Sequence, residues 1–233
     1  LTVAIIGGTS GIGLACAHLW RERGKQVAIF GRSEERLNSA LAGLGSGAMG
    51  SRVDASDPSK LDETLSRVQD LQVLVISVGA GAGAGTLDQL GFDGLKKGFE
   101  QKVLPVWNSV QCGRKHLAMS GAMVILGAAR AHHAAGDGVG LAAVHGAIAS
   151  MIPSLAKAMA PIRVNLVAPG VTDTPPWNGL GDEKKQAVFD HFAKQAPLER
   201  VGQPEEIAQA IVSIASNTFT TGQVLRVDGG LSL

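Results

Sequence analysis

An α/β fold, a doubly wound parallel sheet flanked by helices in one domain over 1–233, is predicted by three observations on this sequence. Short apolar runs recur from end to end, helical patterns separate them, and a glycine-rich turn joins the first run to the first helix. Length agrees, since 233 residues suffice for one large domain with an ordinary core.

TVAIIG (2–7) reads as a buried strand, and 11–23 as a helix with Ile12, Ala15, Cys16 and Leu19 on one face and Gly24 as its stop. QVAIF (26–30) is the second strand. Asp57-Pro58 starts a helix, with Asp as cap and Pro in the first turn. VLVISV (73–78) is the third predicted strand, and AGAGAG (80–85) after it reads as a flexible loop. A long helical stretch over 90–118 precedes AMVILGA (122–128), and another over 140–160 precedes IRVNLVA (162–168). Pro204 opens a helix over 204–216, and QVLRV (223–227) is the last strand. Residues 175–200 form the longest region outside the strand pattern, and no repeat, linker or low-complexity tract interrupts the chain.

Charge is nearly balanced, 21 basic against 20 acidic residues, which gives no reason to expect a nucleic-acid or membrane surface as partner. Cys16 and Cys112 lack metal-ligand spacing and make no disulfide framework, so no metal and a reducing, cytoplasmic compartment are expected. No apolar run reaches the ~18 residues of a membrane span, and no signal-peptide pattern is found. The chain begins at Leu1, already inside a strand-like run, so a few further residues upstream are an expectation.

IIGGTSGIG places Gly7, Gly11 and Gly13 between strand and helix, with Thr9, Ser10 and Ile12 completing the loop. Glycine there permits a tight turn and brings backbone N–H groups to a pyrophosphate at the positive end of the helix. A loose glycine pattern alone says little; the flanking strand and helix make it a dinucleotide site rather than a merely structural turn. A carboxylate at position 31 would hold the ribose hydroxyls of NAD and repel a 2′-phosphate. Gly31 is neutral, and Arg32 and Ser33 follow it, so NADP(H) is the expected cofactor. The other reading of Arg32 is a solvated loop residue.

With these pieces in hand, the chain resembles the short-chain dehydrogenase/reductase family over its whole length. The motifs are Gly7-x-x-x-Gly11-x-Gly13, Asp54 in RVDASD, VISVG (75–79), IRVNLVAPGVTDTP (162–175) and the terminal GQVLRVDGG (222–230). The resemblance implies a Rossmann-like fold and a homodimer or homotetramer. It places Asp54, with Ala55 beside it, at the adenine, and Val78 and Gly79 along the cofactor. Pro169, Gly170, Thr172 and Thr174 would hold the nicotinamide end. Residues 175–200 match a substrate-covering lid, where Trp177, Phe189 and Phe192 would wall a ligand of apolar or ring character or simply pack their helix.

The pattern breaks where family members carry Tyr-x-x-x-Lys. Counting back from SLAKAMAPIRVN (154–165), the Tyr position falls on Leu141 and the Lys position on His145; a second register, from Val144 to Ile148, fits the helix worse. Either way, the chain contains no tyrosine. The family serine aligns to Ala128, the helix asparagine to Lys102, and the asparagine pair to Ile76-Ser77. A positioned general acid contributes ~10²–10⁴-fold, so another donor is sought. Candidates are His145, Lys102, and the ARAHHAAGD segment with Arg130, His132, His133 and Asp137, against the alternative of a solvated loop. His145 reads either as a packed helix residue or as a ligand of the nicotinamide ribose, and third as proton donor. Lys102 either serves the proton relay or covers the helix surface.

Three functions compete. One is an NADP(H)-dependent oxidoreductase on a small carbonyl/alcohol substrate, its proton drawn from the 130–137 loop or solvent. Another is an NADPH-binding sensor or scaffold without turnover. The last is a non-redox isomerase, dehydratase or cyclase using His133 or Asp137 as base.

Overall fold

A computed structural model describes residues 1–79, 82–133 and 137–233. Two residues of AGAGAG (80 and 81) and three of ARAHHAAGD (134–136) lie outside the described residues, so the flexible-loop reading of 80–85 falls partly there.

Seven strands form one parallel sheet: β1 (Thr2–Ile6), β2 (Gln26–Gly31), β3 (Ala48–Arg52), β4 (Leu71–Ile76), β5 (Ala122–Leu126), β6 (Arg163–Pro169) and β7 (Val224–Val227). Their order is β3-β2-β1-β4-β5-β6-β7, so the chain winds outward from β1 in one direction and from β4 in the other. Central strands are apolar on both faces because helices cover both. Val3 and Ile5 pack with α1 (Gly11–Glu22), α2 (Glu34–Leu44) and α8 (Pro204–Ser216), which contribute Cys16, Leu37 and Ile211. Ala4 and Ile6 belong to the opposite layer. There α3 (Pro58–Ser66), α5 (Leu104–His116) and α6 (Val139–Met159) contribute Leu61, Val110 and Ile148.

The structure adds β3 and α2 to the expected elements, divides one expected helix, and shows one long apolar helix. β3 has no apolar run: AMGSR is an edge strand with Met49 47% exposed, so periodicity gives no signal. α2 was not anticipated either; Ser33 caps it by accepting from Arg36 N (3.3 Å), and Glu34 and Glu35 suit its first turn. The stretch over 90–118 is not one helix but α4 (Leu87–Gly98), itself kinked at Gly91 (φ +55°, ψ 174°), a π-helical segment Phe99–Val103, and α5 with Pro105 in its first turn. Last, α6 is 21 residues long with a mean hydropathy of 1.6 over an 18-residue window, the dimensions of a membrane span. Its Ile148 and Ile152 are buried in the core layer with β5 and β6, and its Val144 is buried beside Gly98, which accounts for that hydropathy in part.

Ile148 is fully buried at the centre of that contact. Ile148→Ala is expected to lower the free energy of unfolding by roughly 2–5 kcal/mol, read from the shift of the urea midpoint.

Candidate functional site

The reversal of winding between β1 and β4 opens a crevice of ≈ 610 Å³ at the carboxyl ends of the strands. Its floor is made by close backbone approach. Gly7 has φ +82°, and a Cβ on it would lie 2.2 Å from the Ser77 carbonyl oxygen. A Cβ on Gly13 would lie 2.2 Å from the Gly7 carbonyl oxygen. Both positions exclude any side chain, and the start of α1 is thereby pressed against the end of β1. Ser10 caps α1 without a side-chain hydrogen bond, and the first turn carries no acid. Its first-turn N–H groups are therefore left without a side-chain cap or an acidic neighbour in that turn, as an anion-binding helix end requires.

Gly7, Thr9 and Ser10 line this crevice, with Arg32 and Ser33 at the end of β2 and Asp54 and Ala55 after β3. Val78 and Gly79 line it from the end of β4. Gly11, Ile12 and Gly13 stand behind the lining, as do Pro169, Gly170, Thr172 and Thr174, whose segment reaches the crevice through Pro176. A Cβ on Gly11 would nonetheless sit 3.4 Å from the Thr174 methyl, so that segment packs directly on the glycine turn. Trp177 Nε1 donates to the Thr172 carbonyl (2.9 Å), fixing the turn. At position 31 a Cβ would fall 2.6 Å from the Thr9 hydroxyl, so Thr9 occupies the place where an acidic side chain would begin. Arg36 also lines the crevice and escaped sequence reasoning. Its signal was a helix start, Ser33 followed by two glutamates, with Leu37, Ala40, Leu41 and Leu44 recurring at helical spacing after it.

Lys102 does not cover a helix surface. It is 3% exposed, on the π-helical segment, and its Nζ donates to the Leu126 carbonyl (2.9 Å) and to the Val78 carbonyl. The ammonium thus ties the end of β5 to the chain beyond β4. Burial pushes its pKa down from 10.5 to about 8. His145, on α6, has an Nδ1 buried without a hydrogen-bond partner among the described residues. Burial first, and the nearby Lys102 charge second, push the His145 imidazole down to about 3. The ring is therefore neutral across the physiological range, which removes an imidazolium as proton donor. His145 does not line the crevice.

A second cleft, ≈ 510 Å³, lies between the 3₁₀ turn Ala129–Ala131 with its following residues and α7 (Asp182–Ala193). Arg130, His133 and Asp137 line one side, and Val188, His191 and Phe192 the other. His132 is exposed and takes no part. The Arg130 guanidinium lies 5.3 Å over the Phe192 ring. Phe189 is buried and meets Trp177 edge to face at 5.8 Å, so it packs α7 and lines neither cleft. Lys185 holds α7 to the chain after β6 through Asp173 (2.6 Å). Among the described residues no cluster of His, Cys, Asp and Glu could hold a metal ion.

A family profile described as enoyl-(acyl carrier protein) reductase matches residues 7–232. A 3-oxoacyl-(acyl-carrier-protein) reductase of Chlamydia muridarum is 32% identical, over 98% of this chain and 96% of that protein. A cis-4-hydroxycyclohexanecarboxylate dehydrogenase of Sinomonas cyclohexanicum is 31% identical, over 98% and 95%. Among solved structures, the NADPH-bound short chain oxidoreductase of Pseudomonas aeruginosa PAO1, described as containing an atypical catalytic center, superposes with a TM-score of 0.91. It is 26% identical and covers 99% of this chain and 96% of that one.

The depressed His145 pKa sets a pH dependence of stability. Between about 3 and 6.5 the unfolded chain binds the proton that the folded chain refuses, so this site's contribution is present above pH 6.5 and lost on acidification. Between pH 7 and pH 5, wild type is expected to lose about 2 kcal/mol more unfolding free energy than His145→Gln, measured by urea titration at each pH.

Proposed function

The chain belongs to the short-chain dehydrogenase/reductase family, and on that premise we propose that it is an NADP(H)-dependent oxidoreductase acting on a small carbonyl/alcohol substrate with a non-standard catalytic set. The observation that carries the cofactor choice is the pair Arg32 and Arg36 on the crevice wall, with Thr9 filling the space where a carboxylate would start. Two guanidinium groups and the Ser33 hydroxyl bind a 2′-phosphate through charge-assisted hydrogen bonds. The uncapped first turn of α1 receives the pyrophosphate over Gly7, Asp54 and Ala55 border the adenine, and Val78 and Gly79 border the ribose beyond.

When bound, the cofactor supplies the hydride. This chain's residues must hold the carbonyl near it and give its oxygen a proton. With no tyrosine in the sequence, and with Leu141 and His145 at the Tyr and Lys positions, the usual donor is replaced. His133 takes the donor role, because it lines the second cleft beside Arg130 and an imidazole can both give and take a proton. The nicotinamide-side ribose falls to neutral His145, which stands on α6 at the position of the family lysine. Lys102 is a positioning residue that fixes the Val78 carbonyl from behind. Pro169, Gly170, Thr172 and Thr174 shape the nicotinamide end, and 175–200, pinned by Lys185, acts as the lid.

A second copy of the chain completes the assembly, a homodimer or homotetramer. Exposed apolar residues on helices outside the crevice, Phe92 at 80% and Leu104 at 51%, support that reading. Buried, free Cys16 and Cys112 suit a reducing, cytoplasmic setting. The carboxylate-bearing ring in the name of the Sinomonas relative's substrate supports a small-molecule substrate with apolar character.

Arg32→Ala is expected to weaken NADPH binding about 10–100-fold and leave NADH within about twofold, by fluorescence titration. Equal losses for both cofactors would remove the 2′-phosphate role. In NADPH oxidation against a panel of carbonyl compounds, wild type is expected to turn over at least one. His133→Gln is expected to slow it ~10²–10⁴-fold. Tight NADPH binding with no turnover across the panel assigns the protein to NADPH binding alone.

A further inference from the structure

We propose that the cleft between Arg130 and α7 is a carboxylate-binding subsite, so that the substrate is an oxo or hydroxy acid with an apolar body; this rests on the oxidoreductase reading. The geometry is that of a cation held in place but incompletely satisfied. Arg130 is mostly enclosed, with its side chain 20% exposed, and its Nη1 is buried with no hydrogen-bond partner among the described residues. Its one anionic neighbour there, Asp137, approaches to 3.6 Å, outside hydrogen-bond distance, and has a side chain 66% exposed. A ligand carboxylate that enters the cleft takes over the guanidinium, and Asp137 turns to solvent. The guanidinium lies over the Phe192 ring at 5.3 Å, a cation–π contact that adds an aromatic wall to the same cleft.

The rest of the cleft agrees in charge and polarity. His133 and His191 add ring nitrogens, and Asp137 is the one carboxylate among the described residues that line the cleft. The His191 ring is held by Gln195 Nε2 at 2.7 Å and stands edge to face with Phe192 at 5.2 Å, so this wall is fixed rather than adaptable. Val188 and Phe192 give the apolar surface on which the body of the molecule lies. An arginine fork enclosed beside an aromatic ring selects a planar anion over a neutral isostere, because the neutral molecule leaves buried N–H donors unmatched.

Calorimetric titration with cyclohexanecarboxylate and with its neutral isostere cyclohexanecarboxamide tests this, on wild type, Arg130→Gln, Arg130→Lys and Asp137→Asn, with and without saturating NADPH. The carboxylate is expected to bind wild type at least tenfold more tightly than the amide. Arg130→Gln should abolish that preference, Arg130→Lys should keep part of it, and Asp137→Asn should tighten the carboxylate. NADPH affinity, titrated on the same samples, should stay within about twofold of wild type in all three variants. Amide and carboxylate binding alike, undetectable carboxylate binding, or carboxylate binding that survives Arg130→Gln each overturns the subsite. A wild type that binds the carboxylate but not NADPH keeps the subsite and overturns the cofactor reading instead.

Discussion

Everything at the carboxyl end of this sheet depends on one close approach. Gly7 turns the chain out of β1 with its Cα against the Ser77 carbonyl, and Gly13 sets the first turn of α1 against Gly7. Neither contact leaves room for a methyl group. The crevice is therefore the gap left when two neighbouring strands send their helices to opposite faces, while the first helix is drawn in to backbone contact. The helix dipole, its uncapped N–H groups and the arginines beyond β2 are all brought to bear on one place by that approach.

Behind the crevice the dominant force is the cost of a buried charge. Lys102 is enclosed on a segment of irregular helix, and two backbone carbonyls compensate its desolvation, with no carboxylate partner among the described residues. That positive charge helps to keep His145 neutral, and it does so alongside the enclosure of the ring itself. The site thus separates two kinds of cation. Lys102 is sequestered and structural, whereas Arg130 faces a cleft, and the difference lies in what each meets rather than in its formal charge.

The sequence carried the sheet's central strands because they are apolar on both faces; β1 and β5 are buried at every position. β3 was illegible for the same reason inverted, since an edge strand with Gly50 and Ser51 shows no run and no alternation. α2 is legible by the same rules, since Ser33 followed by two glutamates is an ordinary helix start and Leu37, Ala40, Leu41 and Leu44 recur at helical spacing. In the site, residues on the turn after β1 and on the strand ends were readable because their spacing fixes their location. Arg36 and His191 were not, since each reaches its cleft only through the packing of a helix whose rotation the sequence leaves open. For Lys102, chemistry was readable but burial was not: nothing in QKVLPVW says that the lysine points inward.

The π-helical segment Phe99–Val103 has a consequence for how α4 and α5 are related. A helix that passes through a wider turn contains one residue more than its α-helical length requires, and each residue corresponds to about 100° of rotation. α4 and α5 are therefore out of phase, and the face that α4 presents is set independently of the face by which α5 grips the sheet. Lengthening or shortening the chain by one residue between Phe99 and Lys102 would turn α4 against α5, whereas a change that displaced Lys102 would take its ammonium from the Val78 and Leu126 carbonyls. Such a segment is a natural point for drift in this architecture: the outer helix can be re-aimed by insertion and deletion while the sheet beneath stays unchanged.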